Sequence, residues 1–154
     1  SAERVIAELD KKDFAAYKEL VFCGFGEPTY KVEEMLKIAG YAHSRSLKTR
    51  LNTNGQGNLI NKRDIVPELK GKIDLVNVSL NAPDAESYQK ICHSQYRLDA
   101  FPALIEFAKS CVKNGVACRF SVVDCIGEEA VESCRRLAES SGVPLYVRKY
   151  IADS

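Results

Sequence analysis

Short apolar runs along the chain alternate with longer segments in which apolar residues recur every three or four positions. The short runs predict five strands, at positions 20–23, 48–53, 75–80, 116–123 and 145–150. The longer segments predict an opening helix around 5–9 and further helices at 32–45, 64–70, 84–90, 99–114 and 128–140. A polar loop is expected at 54–58. Strands separated by helices are joined by right-handed crossovers, so we expect an α/β domain with a parallel sheet.

The ends of the helices carry typical capping residues. Asp84 and Asp99 stand where N-caps are expected, and Gly115 and Gly142 stand just past helix ends. The apolar face of the helix that follows Asp99 is expected to comprise Phe101, Leu104, Ile105, Ala108, Cys111 and Val112.

Polar residues fall on one face of several predicted strands. Side chains two positions apart share a face, which groups Arg50 with Asn52 and Asn54, Asn77 with Ser79 and Asn81, and Arg119 with Ser121, and leaves Arg148 able to join them. Parallel strands are normally covered on both faces and apolar throughout. Unpaired burial of so many polar groups would cost a few kcal/mol each, so they must meet water, one another or a polar ligand. A curved sheet whose concave face lines a cavity explains the pattern; the alternative is a water-exposed face of an incomplete sheet.

Glycine and polar residues also mark the carboxyl ends of the strands, where parallel sheets bind ligands. Gly24 and Gly26 have no side chain to block a ligand, and Pro28 stiffens the chain that leaves them. A tight strand-to-helix turn that requires glycine is the other interpretation. Further along, Gly55 and Gly57 predict a flexible lid or a phosphate cradle, although no P-loop lysine follows them.

The composition is that of an ordinary globular protein forming one domain over residues 1–154. Its hydrophobic content is 45%, and its net charge of +1 argues against a dedicated nucleic-acid or membrane surface. No apolar run approaches the ~20 residues needed to span a bilayer. The six cysteines contain no C-x-x-C pair, so we expect reduced core thiols in a cytoplasmic protein, with a disulfide or an improvised metal site as alternatives: Cys23, Cys92, Cys111, Cys118, Cys125 and Cys134.

Three strand ends together resemble a known family. The segment 24–28, G-F-G-E-P, resembles the GGEP motif that ends the second strand of radical S-adenosylmethionine (SAM) enzymes, with Phe25 as a departure from the strictly paired glycines. The segments 51–55, L-N-T-N-G, and 78–82, V-S-L-N-A, resemble the ends of their third and fourth strands. With the segments 58–61 and 63–69, the likeness is greatest to the TatD-linked radical SAM proteins and extends over nearly the whole chain.

This resemblance implies a partial (β/α)6 TIM-like barrel. It also implies an enzyme in which a [4Fe–4S] cluster, reduced by a flavodoxin or ferredoxin, cleaves SAM and releases a 5′-deoxyadenosyl radical that abstracts hydrogen from a substrate. The residues implied to surround SAM are Gly24, Phe25, Gly26, Glu27, Asn52, Asn54, Ser79, Asn81 and Val123. The backbone of the first three would receive the SAM amino group and Glu27 would brace the turn. Ser79 and Asn81 would face the ribose or the carboxylate, and Val123 lies in the segment that would pack against adenine.

The family's C-x3-C-x2-C cluster motif is not present in this sequence. We therefore expect a truncated radical SAM core that lacks the first strand and the cluster loop, holds no cluster and is inactive as given. An exposed sheet edge at the first predicted strand would then favour self-association. Two other functions stay open: a (β/α)-barrel enzyme that binds a phosphorylated metabolite at the glycine-rich strand ends, and a non-catalytic ligand-binding domain. A C-x3-C-x2-C motif encoded upstream of Ser1 would favour the radical SAM assignment.

Overall fold

The computed structural model describes residues 1–13, 16–24 and 26–151. Five strands form the sheet: β1 (Glu19–Phe22), β2 (Lys48–Thr53), β3 (Leu75–Ser79), β4 (Cys118–Val123) and β5 (Leu145–Arg148). The described helices are α1 (Ala2–Leu9), α2 (Val32–Ser44), α3 (Gly57–Asn61), α4 (Val66–Leu69), α5 (Ala85–Cys92), α6 (Ala100–Lys113) and α7 (Glu128–Ser141). Short 3-10 turns occupy Pro28–Lys31, Arg97–Asp99 and Asp124–Ile126. All five predicted strands are confirmed, with their ends shifted by no more than two residues.

The strands are all parallel and lie in the sheet in chain order, from β1 to β5. Doubly wound sheets reverse their order at a switch point, which places helices on both faces. Successive right-handed crossovers in one direction instead place every helix on the same face. The order therefore gives a partial TIM-like sheet with one face covered by helices and one face open, as the polar positions predicted.

The covered face holds the hydrophobic core. Val76 and Val78 of β3 are fully buried, as is Leu80 just after this strand. Leu104 and Phe107 of α6 are buried in the same cluster. Val112 was assigned to the apolar face of this helix, but the structure leaves it exposed while Phe107 takes a buried position. Phe107 lies three positions after Leu104 and four before Cys111, which places it in the middle of the buried face of the helix.

Two local predictions are wrong. Asp99 makes no capping hydrogen bond with its side chain, because it is the last residue of the 3-10 turn that leads directly into α6. The predicted loop at 54–58 is cut short by α3, which begins at Gly57. Gly57 is buried, and a Cβ atom there would lie 2.7 Å from Ile65 Cδ1. Its close packing explains both the helix start and the glycine.

Asp84 is the N-cap of α5, as predicted, and its carboxylate accepts a 2.8 Å hydrogen bond from the Ser87 N–H. This backbone hydrogen bond lowers the pKa of Asp84. A lowered pKa means that the folded protein favours the ionised carboxylate, so the cap stabilises the fold at neutral pH and loses its effect as the pH falls below about 4.

We expect Asp84→Ala to lower the free energy of unfolding by about 1 kcal/mol at neutral pH, because the first turn of α5 loses its acceptor. Asp84→Asn, which keeps a capping oxygen, should change it by only a few tenths. Urea denaturation of the three proteins measures the difference. An equal loss in both variants would contradict the capping role.

β1 and β5 form the two edges of the described sheet. Self-association through the β1 edge stays a prediction. In the part of the chain that the structure describes, no helix is both long and apolar enough to span a bilayer.

Candidate functional site

Glu27 joins the exits of the first two strands. Its Oε2 accepts hydrogen bonds from the Thr29 N–H (3.1 Å), from the Thr29 hydroxyl and from the Thr53 hydroxyl (2.6 Å). Its Oε1 accepts a 2.8 Å hydrogen bond from the Asn54 N–H. A carboxylate with four donors is occupied by the protein itself, so Glu27 braces the rim of the sheet, the role that the family resemblance implied for it.

The segment that Glu27 holds exposes backbone at the rim. Gly24 has φ +121° and Gly26 has φ +86°, and a Cβ atom at either position would meet no described atom within 4 Å. Both residues are exposed. Phe25 lies outside the described residues. Beside this turn an open groove of about 400 Å³ is lined by Phe22, Cys23, Gly26, Glu27, Pro28, Tyr30 and Lys31.

The end of β2 is fixed by local hydrogen bonds. The side chain of Asn54 accepts a 2.9 Å hydrogen bond from the Gln56 N–H. Gly55 is buried, and a Cβ atom there would lie 2.6 Å from Leu104 Cβ. Gln56 is buried too, and its amide donates to the Tyr88 hydroxyl at 3.0 Å, a phenol whose pKa is raised by burial. The expectation of a lid or a phosphate cradle at 55–57 is therefore wrong, because all three residues are buried: Gly55 against α6, Gln56 against α5 and Gly57 against Ile65.

The remaining predicted residues lie at the ends of β3 and β4. Ser79 is half-buried and pairs in register with Ser121. Asn81 adopts a left-handed conformation with φ +65°, and its amide donates to the Cys92 thiol at 3.4 Å. Val123 is half-buried at the end of β4. The structure thus joins Asn54 directly to Glu27, which follows the glycine turn in the chain, and places Ser79, Asn81 and Val123 at the ends of the neighbouring strands.

Asn52 lies away from the rim, in a pocket on the open face of the sheet. The pocket has a volume of about 220 Å³ and is lined by Arg50, Asn52, Asn77, Arg119, Tyr146 and Arg148. The polar groups meet one another, as expected: the Asn77 amide donates to Ser121 Oγ at 2.9 Å, and Arg119 Nε donates to Asn77 Oδ1 at 2.7 Å. Asn52 Oδ1 and Arg50 Nε are buried, and the residues that the structure describes offer neither of them a hydrogen-bond partner.

The sequence pattern placed most of these residues on the open face but did not identify them as a pocket. Tyr146 was missed. Tyr146 lies two positions before Arg148 in the last strand, and this spacing could have identified it, because it puts both side chains on the face that carries Arg119.

The cysteines do not gather into a ligand set. Cys111, Cys118 and Cys134 are buried and free, and burial together with the charge of Asp84 raises the pKa of Cys134 to about 11. Cys23 and Cys125 are exposed, so the expectation of core thiols is wrong for these two, which stand just beyond strands. Across 1–13, 16–24 and 26–151, no three Cys, His, Asp or Glu residues lie together as metal ligands. These thiols do not fit a [4Fe–4S] cluster, which needs adjacent thiolates.

Known proteins resemble this chain in sequence and in fold. The family model of the "Radical SAM superfamily" matches residues 1–139. No curated protein gave a significant match. Among solved structures, SuiB of Streptococcus suis superimposes with a TM-score of 0.67 at 19% sequence identity, over 99% of this chain and 33% of SuiB. A radical SAM methyltransferase from Sphaerobacter thermophilus aligns with a TM-score of 0.46 at 16% identity, over 98% of this chain and 57% of that protein.

The chain thus spans about a third of SuiB and rather more than half of the methyltransferase. At these identities the likeness to SuiB concerns the fold.

Proposed function

The chain belongs to the radical SAM superfamily, and on that premise we propose that its glycine turn and the neighbouring strand ends form the SAM-binding rim of a radical SAM enzyme. The observation that carries the proposal is the turn at Gly24 and Gly26. Both glycines are exposed with positive φ and open space around them, while Glu27 fixes the segment through four hydrogen bonds. Exposed glycines at positive φ present backbone to a ligand with no side chain in the way.

Each residue of the rim has a role that suits part of SAM. Backbone carbonyl oxygens around Gly24 and Gly26 can accept hydrogen bonds from the ammonium group. The hydroxyl of Ser79 can donate to or accept from the ribose or the carboxylate. Val123 offers an apolar side chain to the adenine. We assign Asn54 a supporting role, because its backbone N–H and its side chain are engaged within the rim.

SAM and a [4Fe–4S] cluster would together supply the radical chemistry of this family, which removes a hydrogen atom from a substrate. The described residues do not fit the cluster, so their part is to bind and orient SAM. Asn81 is held in a left-handed conformation next to Cys92 and would position its amide at the rim.

Calorimetric titration with S-adenosylhomocysteine tests the proposal, because this compound shares the amino, carboxylate and adenosine groups of SAM. We expect saturable binding that Gly24→Ala weakens by about tenfold, since φ +121° is strained for any residue with a Cβ atom. The matched control is Gly142→Ala, which also has positive φ and open space but caps α7 away from the rim. Equal weakening by both substitutions, or no binding to the unsubstituted protein, would refute the proposal.

A further inference from the structure

Three arginines from three strands share the open face of the sheet. Asn77 of β3 pairs in register with Arg119 of β4, so their side chains lie on the same face of the sheet. Val123 shares that face because it lies four positions after Arg119, and it pairs with Arg148 of β5. On the other side of β3, Asn52 pairs with Asn77, and Arg50 stands two positions before Asn52 on the same face. Arg50, Arg119 and Arg148 thus line one pocket, and every described residue that lines it belongs to a strand.

The positive charge of this pocket is largely uncompensated. Arg50 has one carboxylate nearby, with 3.5 Å between its NH2 and Glu19 Oε1. In the described part of the chain, neither Arg119 nor Arg148 has a carboxylate within 4.0 Å. Three guanidinium groups against one carboxylate, in one pocket, form a site that attracts anions.

The guanidinium of Arg119 is already oriented. Its Nε donates to Asn77 Oδ1 at 2.7 Å, and its Cζ lies 4.5 Å from the centre of the Tyr146 ring. These two contacts fix the plane of the group and leave its terminal nitrogens for another acceptor. A planar fork that is held in this way suits the two oxygens of a carboxylate or a phosphate.

Two buried polar atoms in the same pocket lack partners. Arg50 Nε is a donor and Asn52 Oδ1 is an acceptor, and no described residue bonds either atom. Buried groups of this kind are costly to leave unpaired, so their presence in a pocket of about 220 Å³ indicates a ligand that supplies both an acceptor and a donor.

We propose that this arginine pocket binds the oxyanion of a small substrate, a phosphate or a carboxylate, whose neighbouring hydroxyl or ammonium donates to Asn52. Its role as a substrate site rests on the proposed function, because the open face would hold the substrate next to SAM at the rim. The anion would contact Arg119 and Arg148, and Arg50 Nε would donate to it. The pocket is separate from the glycine turn, whose groove is lined by other residues.

Titration with inorganic phosphate and with malonate, at constant ionic strength, tests the pocket directly. The readout is calorimetry together with the NMR signals of the arginine Nε–H groups. We expect saturable binding of at least one anion, weakened about tenfold or more by Arg148→Gln, which removes one charged donor. Arg119→Lys should weaken it as well, because lysine keeps the charge but not the fork. Arg135→Gln is the matched control, since Arg135 lies on α7 and pairs with Glu132 at the surface.

The titrations with phosphate, malonate and S-adenosylhomocysteine distinguish the anion pocket from the SAM-binding rim. Tighter phosphate than malonate binding would indicate a phosphate ester, and the reverse would indicate a carboxylate. No saturable binding, or equal weakening by Arg135→Gln, would overturn the anion site even if S-adenosylhomocysteine binds. Loss of phosphate and malonate binding when S-adenosylhomocysteine is present would also overturn it, because the anion would then be the carboxylate of SAM itself. Anion binding without any S-adenosylhomocysteine binding would refute the SAM rim and leave the pocket as an anion site.

Discussion

Replacing Glu27 by alanine is expected to lower the free energy of unfolding by about 3 kcal/mol and to abolish binding of S-adenosylhomocysteine. The carboxylate satisfies four donors, two of them from Thr53 and Asn54 at the end of β2. Hydrogen bonds to a charged acceptor stabilise more than neutral ones, and the donors would be left partly buried without partners. The glycine turn would also lose its attachment to β2.

Glu139→Ala is the matched control for this substitution, because Glu139 is exposed near the end of α7. Urea denaturation should show little change for the control and a clear loss for Glu27→Ala. The loss of unfolding free energy in Glu27→Gln should lie between those of the other two variants, since one acceptor oxygen remains while the new amide nitrogen faces other donors. A loss below about 1 kcal/mol for Glu27→Ala would contradict its role as the brace of the rim.

Replacing Gly55 by alanine is expected to destabilise the protein by about 3 kcal/mol or more, through overpacking and backbone strain together. The new Cβ atom would lie 2.6 Å from Leu104 Cβ and 2.9 Å from Val78 Cγ1, closer than van der Waals contact allows. The site lies between the end of β2 and α6, so either element must shift. Thermal or urea denaturation measures the effect.

Gly71→Ala separates the two causes. Gly71 has φ +80°, close to the +77° of Gly55, but a Cβ atom at Gly71 would meet nothing within 4 Å. This control should cost about 1 kcal/mol, which is the strain of the left-handed conformation alone. Equal losses in the two variants would show that α6 does not pack tightly against Gly55.

Periodicity predicted the fold well because each strand has two distinct faces. The alternation of Asn77 and Ser79 with Val76 and Val78 separates a polar face from an apolar face, and the structure confirms that split. The right-handed crossover holds for doubly wound sheets as well as for barrels, so handedness alone does not give the strand order. The polar face was the signal that favoured a sheet with helices on one side only.

The site was less predictable, because its contacts join residues that are distant in sequence. Glu27 receives donors from 26 and 27 positions further along the chain, and Gly55 requires glycine because of Leu104 in α6. The stacking of Arg119 over Tyr146 depends on the register between β4 and β5. Local patterns identify the residue types at the strand ends, but the packing between elements decides which atoms stay free for a ligand.

The most direct measurement of the SAM-binding rim is the mapping of amide chemical shifts during titration with S-adenosylhomocysteine. We predict saturable changes at Gly24, Gly26, Ser79 and Val123, with the helical surface of α2 and α7 unaffected. Absence of saturable changes, or changes confined to the helical surface, would contradict the proposal that these strand ends bind SAM.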